Sequence, residues 1–157
     1  MRKIFLIINL LTIIFIPSVT FGNVIDKLNE VGKFTKLNET LVKSGLNENL
    51  KSNGPFTVFA PLDDAFAAIS AKTYYGLLSE DNKDKLIKIL GRHVFLKKIT
   101  SSEINGEINL KAINGEEIKI KKVNGIIYIN EAEVVTADVE VSNGVIHFIN
   151  RVLQPLN

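Results

Sequence analysis

The sequence predicts an α+β fold with helices first and sheet second, and two periodicities carry that expectation. Over residues 24–50 and again over 80–95, apolar side chains recur every three or four positions, as on a helix with one buried face. From Ile108 onward the period falls to two, with Asn-Gly pairs between the runs, as in antiparallel strands joined by tight turns. Helices and strands segregated in this way along one chain are the pattern of α+β rather than α/β architecture.

The elements follow in order. Val24, Ile25, Leu28 and Val31 mark one short amphipathic helix, and Phe34, Leu37, Leu41 and Val42 a second; Gly32 separates them and Gly45 stops the second. Lys51-Ser52-Asn53-Gly54-Pro55 is turn chemistry, Phe56–Phe59 a short strand, and Pro61 the hand-over to another helix. In the segment 80–95, Leu86, Ile87, Ile89, Leu90 and Val94 share one side, with Ser79 as the expected N-cap. Beyond it, Ile108, Leu110 and Ala112, then Ile118 and Ile120, alternate with polar neighbours, predicting a meander of about three strands. Asn114-Gly115 and Asn124-Gly125 suit turns whose two central residues both need positive φ. Val134–Val141 and Val145–Ile149 complete the sheet, the last strand apolar on both faces and therefore covered on both.

A length of 157 residues with 46% hydrophobic content fits one domain with a core of ordinary size. Residues 1–22 are expected to lie outside it as a signal peptide: Met1-Arg2-Lys3 is positive, Ile4–Ile16 is mostly apolar, and Thr20-Phe21-Gly22 has cleavage-site spacing. The apolar run, about 13 residues, is shorter than the roughly 20 that span a bilayer as a helix. The expected mature chain, 23–157, has no transmembrane segment and is secreted, periplasmic or held at the cell surface. Loss of Arg2 and Lys3 leaves 17 acidic side chains against an equal number of basic ones, so the mature chain is neutral and makes no electrostatic case for nucleic acid. There is no cysteine, which removes thiol catalysis, cysteine-based zinc sites and disulfides together.

Candidate chemistry is sparse. His147 sits in the middle of an apolar strand, where a neutral imidazole serves best as a hydrogen-bonded structural group. His93 falls beside the apolar stripe of the 80–95 segment and reads the same way. No HxH, HxxxH or HExxH spacing occurs, so no metal site and no cofactor are expected. Asp63 and Asp64 follow Pro61-Leu62 at a helix start, and Asp63 is expected to cap that helix. Lys97-Lys98 and Lys121-Lys122 read as solvated strand faces, and Tyr74-Tyr75 as a partly buried pair. Asn38-Glu39-Thr40 has the form of a glycosylation acceptor. Neither GxSxG nor a phosphate-binding glycine pattern occurs, and no catalytic residue is assigned.

Two longer stretches add a resemblance. "FTVFAPLDDAF" at 56–66 and "NGVIHFINRVLQP" at 143–155 resemble the two signature boxes of the fasciclin domain, in the right order and at the right separation. Between them, "ILGRHVF" at 89–95 resembles the family's central tyrosine-histidine box, and "INEAEVVTADVEVSNG" at 129–144 the lead into the second box. The resemblance implies a wedge of about seven strands packed with several helices, scaffolded by Pro61, Asp63, Phe66, His93, Asn143, Gly144, His147 and Pro155. It also implies a non-catalytic adhesion module binding a protein or polysaccharide at a cell surface. Arg92 replaces the box tyrosine while His93 keeps the histidine, and Asp138-Val139 stands where the family has its Asp-Ile adhesion pair. Asp138, Val139, Arg92 and His93 are accordingly expected near the partner contact, with Asp138→Ala expected to spare thermal stability. The alternative is a carrier of a lipid, pigment or other apolar small molecule, its cleft lined by Tyr74, Tyr75 and Phe95.

Overall fold

A computed structural model describes residues 21–154; the expected signal peptide, but for its last two residues, and Pro155 fall outside them. The first helix, α1 (Val24–Val31), opens on a reciprocal cap: the Asn23 side chain accepts from Asp26 N–H and the Asp26 carboxylate from Asn23 N–H. Helix α2 (Thr35–Ser44) ends at Gly45, which is left-handed at φ 82°, and α3 (Leu46–Leu50) follows at once. Three helices stand where two were expected, because Leu46 and Leu50, one turn apart, both reach the core and hold a further turn beyond the glycine.

Strand β1 (Phe56–Pro61) leads into a 3-10 turn at Asp63–Ala68, then α4 (Ala71–Leu77), a second 3-10 turn at Glu80–Asn82 and α5 (Lys83–Gly91). The helix expected over 80–95 is thus broken at both ends. Ser79 does not cap α5; its hydroxyl donates to Gly76 O at 2.8 Å. At the other end Val94–Phe95 is pulled out of the helix to form β2, pairing with Val58 and Thr57. The remaining strands are β3 (Glu107–Lys111), β4 (Glu117–Val123), β5 (Ile126–Ile129), β6 (Ala132–Val141) and β7 (Gly144–Ile149).

All seven strands form one sheet in the order β2-β1-β7-β6-β5-β4-β3. The β1–β7 pair is parallel and the others are antiparallel. The two ends of the sheet approach each other, Ile113 N–H donating to Val94 O at 2.9 Å, so the sheet is nearly a closed barrel. Alternation along β1 and β7 then sorts side chains into two cores. Phe56, Val58, Ala60 and Ile146 face the helices, while Phe59 and Ile149 face the barrel interior with Ile118, Ile120 and Ile129. Complete burial of such side chains contributes roughly 1.5–3 kcal/mol each.

The two Asn-Gly turns differ. Asn124 and Gly125 both have positive φ, 50° and 81°, as a two-residue β4–β5 turn requires. At the β3–β4 turn only Gly115 does, at 88°. There Asn114 is occupied otherwise: its side chain donates to Lys88 O at 3.2 Å and accepts from Glu116 N–H at 3.0 Å, pinning the turn to α5. Gly144 answers a different need, since a Cβ on it would lie 1.9 Å from the Phe56 carbonyl oxygen.

Candidate functional site

Asp138 lies on an irregular stretch of β6. Its register against β7 shifts between Val134 and Thr136 and again between Thr136 and Val139, and Asp138 itself is left-handed at φ 59°. This turns the Asp138 carboxylate across the sheet onto the segment that follows β2, where it accepts from Ser101 N–H at 2.7 Å and from the Ser101 hydroxyl. Burial disfavours the charged form of Asp138 and raises its pKa, but the two Ser101 bonds, the His147 ring and Lys122 outweigh it and hold the carboxyl below its usual range.

The same segment is fastened twice more. The Thr57 hydroxyl on β1 donates to Lys97 O at 2.5 Å and accepts from Ile99 N–H at 2.8 Å. On β7, His147 Nε2–H donates to Ile99 O at 2.8 Å while its Nδ1 accepts from Asp138 N–H at 3.2 Å. Three adjacent strands, β1, β7 and β6, therefore each contribute one polar side chain to a clasp over residues 97–101. His147 is fully buried and stacks on Phe59 at 5.0 Å. Burial lowers its basicity more than the Ile99 bond and Asp138 raise it. Both ring nitrogens are engaged, so neither has a lone pair free for a metal or a substrate proton.

Arg92 and His93 lie inside the protein, 6% and 2% exposed, and present no surface to a partner. Both were expected near the contact; packing buries them, because α5 ends at Gly91 and the chain turns inward there to reach β2. Arg92 Nε bonds Glu116 at 2.6 Å and its Nη2 is closer still. His93 Nδ1–H donates to Ile89 O and its Nε2 accepts from Leu153 N–H, both at 2.9 Å, joining α5 to the segment after β7. Burial pushes His93 down to about 4, helped by Arg92. Asp63 also departs from expectation. It caps α2 rather than its own helix, accepting from Thr35 N–H at 3.2 Å and Lys36 N–H at 2.8 Å.

Among the other scaffold residues, Pro61 closes β1 and Phe66 meets Tyr74 edge-on at 5.8 Å. Asn143 is a junction: its side chain accepts from Val24 N–H at 3.0 Å and donates to Leu50 O and Ser52 O at 2.8 and 2.7 Å, tying three segments to the β6–β7 turn. Of the lysine pairs, Lys98 meets Glu140, Lys122 donates to Ser101 O and Lys121 lies over the Tyr128 ring. In Asn38-Glu39-Thr40 the threonine is buried, its hydroxyl spent on Leu37 O.

What remains accessible around the clasp is Asp138, with Val139 half-buried beside it. Next to them a shallow groove of about 320 Å³ runs between β5 and β6, lined by Ser101, Lys122, Ile126, Val134, Val135 and Ala137. It exists because β5 and β6 pair only at Tyr128–Glu133 and Ile129–Ala132 and then diverge. Val135 and Ile126 are 47% and 40% exposed there. Thr57 and Ser101 escaped the sequence reading. A lone threonine in the apolar run Phe-Thr-Val-Phe was a signal for the first; nothing local marks Ser101.

The sequence profile of the fasciclin domain matches residues 32–155. Protein sll1483 of Synechocystis is 46% identical over 123 residues, 78% of this chain and 67% of that protein. Transforming growth factor-beta-induced protein ig-h3 of Sus scrofa is 34% identical over 134 residues, 85% of this chain but 19% of its own length. Among solved structures, a FAS1 domain pair from the insect cell adhesion molecule fasciclin I superposes with a TM-score of 0.75 at 23% identity, over 87% of this chain and 52% of that one. A nearly closed seven-stranded sheet with its helices on one face, carrying the two boxes on the adjacent parallel strands β1 and β7, defines a FAS1-type domain. The chain belongs to the fasciclin domain family. It spans a fifth or less of its animal relatives, and domains of this family occur in cell-adhesion proteins. Among the described residues no helix is long and apolar enough to cross a membrane.

Proposed function

We propose that the protein is a secreted or cell-surface, non-catalytic adhesion module that engages a protein or polysaccharide partner through the β5–β6 groove and the adjoining Asp138-Val139 corner. The observation that carries this is the exposed apolar pair Val135 and Ile126 beside a fixed carboxylate. A mixed groove, with exposed apolar side chains between Lys122 and Glu133, supplies both contact area and orientation to a partner. Cell-adhesion relatives support the reading. Arg92 and His93 enter it as internal supports of the fold, not as contacts.

Surfaces coated with the protein are expected to retain cells of its own source. Val135→Asp, which places a charge in the groove without disturbing a buried contact, is expected to lower retention at least tenfold at unchanged thermal unfolding. Equal retention by the variant would remove this face from the function. Protease and periodate treatment of the cells then separates a protein partner from a polysaccharide.

A further inference from the structure

A second concavity lies on the opposite, helical side of the sheet. It is a cavity of about 170 Å³ beneath α4, walled by Pro61, Phe66, Ile69, Leu77, Leu86 and Leu90. Every polar side chain that reaches it from the interior is already partnered within the chain. The Thr40 hydroxyl donates to Leu37 O at 2.7 Å, the Tyr74 hydroxyl to Glu39 at 2.6 Å, and both nitrogens of His93 are taken. Lys85 and Gln154 are the charged and amide groups at the cavity, and both are exposed, at its mouth. With those hydroxyl hydrogens already spent, water held inside would find few partners on such walls, and the space favours an apolar guest. An engineered cavity of about 150 Å³ lined by leucine, isoleucine and phenylalanine admits benzene, which sets the scale of guest that fits.

We propose that this cavity is a binding site for a small, uncharged ring compound of one or two rings, independent of the adhesion face. A charged guest would lose its hydration against the inner walls, which carry no charge; the one ammonium, Lys85, stands at the mouth. Long-chain lipids and extended pigments exceed the space, since sites that enclose drug-sized ligands run to roughly 300–1,000 Å³. Tyr75 and Phe95, expected in such a cleft, are not part of it: Tyr75 is 68% exposed and Phe95 is buried with the barrel core. Over the cavity, α4 contributes a single buried side chain, Tyr74, held by its bond to Glu39 and its edge contact with Phe66.

The test is an NMR titration of the protein with indole, repeated with indole-3-carboxylate. Saturable shifts centred on Phe66, Ile69, Leu77, Leu86 and Leu90 are expected for indole, with a dissociation constant at or below about 1 mM. The carboxylate analogue is expected to bind at least tenfold more weakly, and Leu77→Phe, which fills the space from α4, to weaken indole at least tenfold while the rest of the spectrum is kept. Absence of saturable shifts in the unaltered protein, shifts centred on Val135 and Ile126, or equal binding of the charged analogue would each overturn the proposal. If Leu77→Phe does not fold, the titration of the unaltered protein with the two probes decides alone.

Discussion

His147 and Ile99 are 48 residues apart in sequence and joined by one buried hydrogen bond, Nε2–H to carbonyl oxygen at 2.8 Å. With Asp138 N–H on the other ring nitrogen, the imidazole is fixed as the Nε2–H tautomer and sits at the centre of the clasp. His93 is fixed in the opposite tautomer, its Nδ1–H donating to Ile89 and its Nε2 accepting from Leu153. In each case a neutral ring that is both donor and acceptor joins two chain segments.

Replacing His147 by alanine removes both bonds and the stack on Phe59, strands the Ile99 carbonyl in the interior and leaves the part-buried Asp138 N–H without its acceptor. The expected loss is about 3–5 kcal/mol, from an unsatisfied buried group and a cavity together. Urea unfolding at neutral pH measures it; a loss under about 1 kcal/mol would mean that the clasp does not hold the fold.

Stability is expected to fall on mild acidification. His93, at about 4 when folded, has the ordinary value of 6.5 when unfolded, so between those values the unfolded chain binds more protons. Its contribution is complete above pH 6.5 and is lost progressively as pH falls toward 4, about 3 kcal/mol in all. His147, also shifted downward, acts in the same direction, and Asp138 extends the loss below the ordinary carboxylate range. The proton added to His93 would face Leu153 N–H, and the one added to His147 would face Asp138 N–H. Urea midpoints at pH 7.5 and 4.5 test this, and equal midpoints would contradict it.

Asp63 and Asp64 are neighbours with different expected effects. Asp63→Ala leaves two N–H groups at the start of α2 without their carboxylate and is expected to cost about 1–2 kcal/mol. Asp64 is exposed and has no side-chain bond among the described residues, so Asp64→Ala is expected to fall within about 0.5 kcal/mol of the parent protein. Thermal unfolding of the two variants side by side distinguishes this cross-cap from a simple effect of charge at a helix start, which would move both alike.

The clasp changes what Asp138 can report. Its two bonds to Ser101 make it a structural residue as well as an exposed one, so Asp138→Ala, contrary to the expectation from sequence, is predicted to lower stability by about 1–3 kcal/mol. Alanine also tolerates the left-handed backbone poorly, whereas asparagine accepts it. Asp138→Asn is therefore the variant that isolates the charge: loss of cell retention by Asp138→Asn, at a stability close to that of the parent, would assign the carboxylate to the partner contact.

The α+β class, the order of the elements, the burial of β7 on both faces and the two boxes were all legible in the sequence. Each is written in local periodicity, in turn residues, or in a contiguous run such as "NGVIHFINRVLQP". The third helix and the end of α5 at Gly91 were less so, because a short apolar run serves a helix or a strand equally well until a neighbouring strand takes it. What only the tertiary structure decided is which polar groups meet. Asp63 reaches back to α2, Thr57, His147 and Asp138 converge on residues 97–101, Arg92 turns inward to Glu116, and β5 parts from β6 to open the groove. Periodicity tells a side chain which face it occupies. Its hydrogen-bond partner is fixed by where distant segments cross, and a buried donor or acceptor must take whatever partner that crossing supplies.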